Sequence, residues 1–130
     1  MVGVSAEKRI FPQVTLGGTL GQVERLGGTV DNRSRVFLFG ATVTGYLFES
    51  TWEGPWAKFT LLNSFYNFRG YTGSGEFSPG FRTDIGISVQ RGLPFTIRAA
   101  LGAQYLSRSH GDGEVGGWSP TLTVELGFNW

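Results

Sequence analysis

Apolar and polar residues alternate along much of this chain, most clearly toward the C-terminus. In residues 95–105, Phe95 and Leu101 belong to an apolar set of alternate positions, whereas Arg98 belongs to the polar set. Successive side chains of a β-strand point to opposite faces of its sheet, so this period of two predicts strands that separate two different environments. Such segments are readable at six places, residues 11–22, 35–48, 56–68, 81–90, 95–105 and 118–130.

The connections between these segments are alternately long and short. Residues 23–34, 69–80 and 107–117 form the long connections, and residues 49–55 and 91–94 form the short ones. Long loops at one end and short turns at the other are typical of antiparallel up-and-down transmembrane β-barrels. The predicted fold class is therefore an all-β barrel of that type. With six strands, both chain termini are expected at the short-turn end.

The strand count and the N-terminal segment need a separate interpretation. Single-chain bacterial barrels have eight or more strands, so six strands imply a hidden hairpin, a truncated or engineered chain, or a barrel completed by several chains. A hidden hairpin belongs in the first 35 residues, where Gly17-Gly18 and Gly27-Gly28 could mark turns between short strands, and it would give eight strands. Residues 1–8 lack the apolar core of a secretory signal, and we expect them to be a flexible N-terminal segment of a mature chain. All 130 residues are expected to form one domain.

Composition indicates which side of the strands faces water. Charged residues make up 16% of the chain, against about 25% in a typical globular domain, and the polar positions carry mostly Gly, Ala, Ser and Thr. Such short side chains suit a crowded interior, whereas the water-facing side of a soluble sheet usually carries many charges. Aromatic residues recur near the strand ends on the apolar face, where we expect them to form girdles at two lipid interfaces. These aromatic residues are Phe81, Phe95, Tyr105, Trp118, Phe128 and Trp130.

Other function classes find little support in the composition. The net charge of +1 provides no basic field, so no nucleic-acid partner is expected. The absence of cysteine excludes a disulfide framework and a cysteine zinc site. His110, the only histidine, lies in a glycine-rich polar run and is best explained as a solvated loop residue. Since no nucleophile and base can be placed together, we expect no enzymatic activity, no metal site and no cofactor.

The last predicted strand carries the most specific motif. Residues 120–130 alternate Leu122, Val124 and Phe128 with polar or small residues and end on Trp130. This pattern resembles the closing strand of bacterial outer-membrane proteins, and the whole chain resembles the small barrels of the OmpA and OmpX type. The resemblance implies a bacterial outer-membrane location, a lipid bilayer or detergent as surroundings, and recognition of the C-terminal strand by the barrel-assembly machinery.

Charged residues occupy polar-face positions on the last three predicted strands, namely Asp84, Arg98 and Glu125. Pairing Gln90 with Pro94 across the tight turn sets the register of the first two of these strands. In that register Arg98 lies diagonal to Asp84 on one side and, with a similar register across the next loop, diagonal to Glu125 on the other. We therefore expect Arg98 to bridge the two carboxylates.

These charges are expected to form a paired network in a narrow lumen. An isolated buried ion costs several kcal/mol, so charges in such a space must find partners. Arg82 balances the carboxylates, and the predicted network of Arg82, Asp84, Arg98 and Glu125 is a salt-bridged plug that locks the barrel and blocks flow. The functional alternative is a charged constriction or gate that selects ions.

Three functions remain open from the sequence. The first is a non-enzymatic integral outer-membrane protein, either structural or presenting its long loops to partners, with a homo-oligomer as one arrangement. The second is a pore formed by a wider or multi-chain barrel. The third is a soluble, lipocalin-like barrel whose apolar face encloses a small hydrophobic ligand.

Overall fold

In the computed structural model the chain forms a closed all-β barrel. The structure describes residues 1–24, 35–48, 52–67, 76–90, 94–106 and 117–130. The strands are β1 (Val2–Phe11), β2 (Val14–Glu24), β3 (Arg35–Tyr46), β4 (Gly54–Asn67), β5 (Glu76–Gln90), β6 (Phe95–Leu106) and β7 (Gly117–Asn129). The described residues form no helix long and apolar enough to cross a membrane.

Consecutive strands pair antiparallel, and the barrel closes where β1 pairs with β7 in parallel. An odd number of strands makes the first and the last run in the same direction. This closing seam extends from Val2 opposite Val124 to Glu7 opposite Asn129. It covers six residue pairs, whereas β4 and β5 pair over thirteen. The seam is therefore the shortest contact between neighbouring strands in the described barrel.

The predicted count of six strands is wrong, and so is the alternative of eight. Residues 2–8, expected to be flexible, lie in β1, and the single strand predicted at residues 11–22 is the end of β1 followed by β2. Pro12 and Gln13 form the turn between them. The alternation of β1 is hidden because Glu7, Lys8 and Arg9 are consecutive charged residues.

The expected position at the short-turn end is confirmed for the C-terminus, where Asn129 N donates to Pro94 O, and is wrong for the N-terminus. Because β1 and β7 run in the same direction, the first residue of β1 lies beside the middle of β7 instead of at the short-turn end. The remaining predicted strands correspond to β3, β4, β5, β6 and β7, although β5 begins at Glu76, inside the segment predicted to be a long loop. The parallel closure joins segments far apart in the sequence, so the spacing of strands gives no sign of it.

The two faces of the barrel wall have opposite polarity. Outward-pointing apolar side chains are widely exposed, for example Ile85 at 70% and Leu101 at 65%. Inward-pointing charged side chains are buried, for example Glu7 and Arg82 at 0%. Exposed apolar patches on this scale are unusual in a soluble monomer.

Six aromatic side chains of the outer surface form two clusters, one toward each end of the barrel. Phe81, Tyr105 and Trp118 form one cluster, with ring centroids 5.3–5.7 Å apart. At the other end Phe95 lies 5.5 Å from Phe128, whose ring is 5.8 Å from that of Trp130. All six aromatic residues predicted for an interface therefore belong to two terminal clusters.

A disulfide tests the closing seam. Val4 and Leu126 are register partners with exposed side chains, and the chain has no cysteine of its own. We expect Val4→Cys combined with Leu126→Cys to oxidise readily in the folded protein, because neighbouring strands place Cα atoms within disulfide distance. Gel mobility after oxidation and proteolysis measures the cross-link.

The matched control pairs Val4→Cys with Leu122→Cys. Leu122 lies on the same strand and face as Leu126, roughly 13 Å further along β7, and its cysteine should stay unlinked. Equal cross-linking of both pairs, or of neither, would contradict the parallel register.

Candidate functional site

Six charged side chains are buried inside the described barrel, three of each sign. They occupy inward positions on five strands and are Glu7, Lys58, Arg82, Asp84, Arg98 and Glu125. Opposite charges are therefore equal in number within this fully buried set. Each of these charges has an opposite charge within salt-bridge distance.

The larger cluster joins four strands through two carboxylates and two cations. Arg98 Nη1 lies 2.7 Å from Glu7 Oε1 and 3.2 Å from Glu125 Oε1. Lys58 Nζ lies 2.7 Å from Glu125 Oε1 and 3.4 Å from Glu7 Oε1. Both cations therefore touch both carboxylates, and strands β1, β4, β6 and β7 are tied across the interior.

Neutral donors complete the coordination of Glu7. Thr15 Oγ1 donates to Oε2 at 2.7 Å, and Thr44 Oγ1 donates to Oε1 at 3.0 Å. Tyr46 donates its phenol hydrogen to Oε2 at 3.1 Å while accepting a hydrogen bond from Arg98 Nη2 at 2.6 Å. A carboxylate taken out of water needs this number of donors, since otherwise its desolvation would outweigh the attraction of its ion pairs.

A smaller cluster lies nearer the long connections. Arg82 Nε is 2.6 Å from Asp84 Oδ2, two residues further along the same face of β5. Thr121 Oγ1 on β7 donates to Asp84 Oδ1 at 3.4 Å. Arg82 Nη1 also contacts the sulfur of Met1. This cluster therefore links β5 to the closing strand.

The predicted bridge from Arg98 to both Asp84 and Glu125 is half wrong. Gln90 pairs with Thr96 instead of Pro94, so Arg98 is opposite Ser88 and far along β6 from Asp84. Arg98 lies directly opposite Glu125, and they form an ion pair. The structure pairs Asp84 with Arg82.

Glu7 and Lys58 were missed by sequence reasoning. Glu7 lies in the segment assigned to a flexible terminus, and Lys58 lies on β4, whose alternation is weak. One signal was available for Lys58: it occupies the same alternate positions as Thr60 and Ser64, which are also buried.

Inward-facing glycines leave space for the long ionic side chains. A Cβ atom at Gly127 would lie 3.0 Å from Cζ of Arg98 and 2.5 Å from Oγ1 of Thr96. A Cβ atom at Gly17 would lie 2.7 Å from Cγ of Glu7. Glycine at these positions is therefore a requirement of the charge network as well as of the strand.

Both ends of the interior are filled by less polar groups. At the short-turn end, the Trp52 ring lies edge-on to Tyr46 at 5.6 Å, and the guanidinium of Arg9 lies 4.5 Å from its centroid. At the other end, Leu38, Leu62 and Leu106 form an apolar cluster. Side chains thus close the described interior at both ends.

The described residues contain no group of three or more His, Cys, Asp or Glu side chains that could hold a metal ion. His110 and the three long connections lie outside the described residues. No protein-family model, curated protein or solved structure matches this chain. The chemistry of the site must accordingly be inferred from its own geometry, which is that of a buried network of ion pairs with equal numbers of opposite charges.

Substitution of Glu7 tests how much the network stabilises the barrel. Glu7→Gln keeps the shape of the side chain but leaves Arg98 and Lys58 with Glu125 as the one remaining carboxylate of the cluster. We expect the free energy of unfolding to fall by about 3–5 kcal/mol, because an uncompensated charge stays buried. Denaturant titration followed by circular dichroism measures it.

Lys8→Gln is the matched control, since Lys8 is the next residue of β1 and its side chain is exposed. Its loss should change stability by less than about 0.5 kcal/mol. A similar effect of the two substitutions would mean that the buried pairs contribute little.

Proposed function

We propose that this chain is an integral protein of the bacterial outer membrane, a closed barrel without enzymatic activity that serves a structural or loop-mediated binding role. The observation that carries the proposal is the inverted polarity of its wall. Large apolar side chains cover the outside and paired charges fill the inside. A bilayer supplies the apolar surroundings that such an outer face requires.

The outer face is nearly free of charge. Among the strand side chains that the structure describes, Lys8 is the one exposed charged residue. It lies near the short-turn end of β1, where its long side chain can reach the polar headgroups while its stem stays in contact with apolar surface. A soluble barrel of this size would need many more exposed charges to stay dispersed.

The spacing of the aromatic clusters fits the thickness of a bilayer. Trp118 and Phe128 lie on the same face of β7 at its two ends. Ten residue steps of about 3.3 Å, on a strand tilted by about 40°, span roughly 25 Å along the barrel axis. The apolar band of outer-membrane barrels is also about 25 Å tall.

The filled interior argues for a closed barrel over a pore. Even eight strands enclose an interior only wide enough for side chains, and here seven strands surround Arg98, Tyr46 and Trp56. An ion or solute entering would have to separate several buried ion pairs.

The same interior argues against a lipocalin-like ligand site. Such a site needs an apolar cavity inside the barrel. The largest fully buried side chains here include Arg82, Arg98 and Glu7, and the apolar cluster around Leu38 is confined to one end.

We assign partner binding to two parts of the chain, the long connections and the C-terminal strand. The long connections, residues 25–34, 68–75 and 107–116, all join strands at the same end of the barrel, so we assign partner binding to them. Strand β7, with its alternating apolar residues and terminal Trp130, is assigned to recognition by the barrel-assembly machinery. A homo-oligomer is compatible with the apolar outer face.

A charge on the outer face distinguishes a membrane barrel from a soluble one. Leu101 is 65% exposed at the middle of β6, opposite Ile85 and Leu122. In a bilayer, Leu101→Arg should lower the free energy of unfolding, measured in lipid vesicles, by about 2–4 kcal/mol. In a soluble barrel the same substitution of an exposed residue would be neutral.

Leu47→Arg is the matched control, because it also replaces an exposed leucine with arginine. Leu47 is 63% exposed and follows the last residue of β3, at the level of the interface, where an arginine costs about 0–1 kcal/mol. Equal changes in the free energy of unfolding for the two variants would contradict the membrane proposal.

Refolding and conductance test the closed barrel directly. We expect a folded β-rich protein in detergent micelles or vesicles, a gel mobility that changes on boiling, and no steady single-channel steps in a planar bilayer. A monodisperse folded protein in plain buffer would contradict the membrane location. Regular conductance steps would contradict the closed interior and favour the pore.

A further inference from the structure

Nine buried side-chain nitrogen or oxygen atoms have no hydrogen-bond partner among the described residues, and four of them are oxygens on inward-facing side chains of β3, β4 and β7. These four are the hydroxyl oxygens of Thr42, Thr60 and Thr123 and the second carboxylate oxygen, Oε2, of Glu125. All four residues are at most 2% exposed. Native proteins rarely leave such groups unpaired, since a buried polar atom without a partner loses its hydration and gains nothing in return.

The register places these atoms between the two ion-pair clusters. On β7, Thr123 lies on the same face as Thr121, which bonds to Asp84, and Glu125, which bonds to Lys58. Thr123 is thus the inward residue between one cluster and the other.

Strand β4, across the barrel from β7, also places a threonine between residues of the two clusters. On β4, Lys58 belongs to the larger cluster, and Thr60, the next inward residue, is the register partner of Arg82 in the smaller cluster. Thr60 is also the register partner of Thr42 on β3. Unpaired hydroxyls therefore lie on β3, β4 and β7, next to residues of both clusters.

The three unpaired hydroxyls belong to short side chains. Arginine and lysine span the interior in the two clusters, whereas threonine side chains stop near the wall. A polar space that is bounded by several unpaired groups holds ordered water in proteins, and each such water makes about three hydrogen bonds.

We propose that ordered water molecules occupy the interior between the two ion-pair clusters, bound by the hydroxyls of Thr42, Thr60 and Thr123 and by Oε2 of Glu125. The hydroxyls donate to and accept from the waters, and the carboxylate oxygen accepts. The waters join Asp84 and Arg82 to Glu125 and Lys58, so that one continuous hydrogen-bonded interior replaces two separate clusters. This hydration concerns the barrel interior and does not depend on where the barrel resides.

Valine substitutions distinguish a wet interior from a dry one. In a dry interior, Thr42→Val or Thr60→Val removes an unsatisfied hydroxyl and should stabilise the barrel. With bound water, each substitution removes a hydrogen-bond partner, and the equilibrium constant for unfolding in micelles should rise about fivefold. An unchanged or smaller constant for both variants overturns the proposal.

Thr83→Val is the matched control, because Thr83 lies on the outward face of β5 and is exposed. It makes the same chemical change away from the interior, so the equilibrium constant for unfolding should not rise. A rise equal to that of the interior variants would mean that the effect does not come from bound water.

Nuclear magnetic resonance on the unmodified protein gives an independent readout. Cross-relaxation between long-lived water and the methyl groups of Thr42 and Thr60 is expected in the folded protein, and it should weaken at Thr60 in Thr42→Val. Absence of water cross-peaks at both methyl groups overturns the proposal even where the variants lose stability.

Discussion

The barrel depends on the neutralisation of Glu7 inside it. This one carboxylate receives an ion pair from β6, a second from β4, and hydroxyl hydrogen bonds from β2 and β3. A charge that is buried and then deprived of its partners is among the most destabilising changes a protein interior can suffer. Because Glu7 is on β1, the network holds the first strand in the wall at the place where the backbone pairing is shortest.

The opposite polarity of the two faces imposes different demands on the same strands. Outside, large apolar residues such as Ile85 and Leu101 can vary in shape, since what surrounds them is not a fixed partner. Inside, each position is matched to a particular neighbour. A Cβ atom at Gly127 would meet Thr96 and Arg98, and one at Gly17 would meet the carbonyl oxygen of Ala6 and the side chain of Glu7. The high glycine content of 21 residues is in part a consequence of this crowding.

Local alternation was sufficient to predict the barrel class, five of its strands and the inward position of Arg82, Asp84, Arg98 and Glu125. It could not predict β1, because three consecutive charges interrupt the period of two there and its partner β7 is distant in the sequence. The register failed at the turn after Gln90, where a shift of two residues preserves which face each side chain occupies but changes its neighbour. Faces follow from the sequence pattern, whereas partners follow from the closure of the whole barrel.

The parallel seam has a consequence for how the molecule folds. The antiparallel neighbours can form as successive hairpins, each of which closes a loop of modest length. The seam instead joins the first strand to the last, and the Glu7–Arg98 ion pair alone spans 91 residues of sequence. Contacts between such distant segments carry the highest loop-closure entropy and slow folding. The seam and the ion pairs of Glu7 should therefore form together in the last step of assembly, when an open, curled sheet becomes a cylinder.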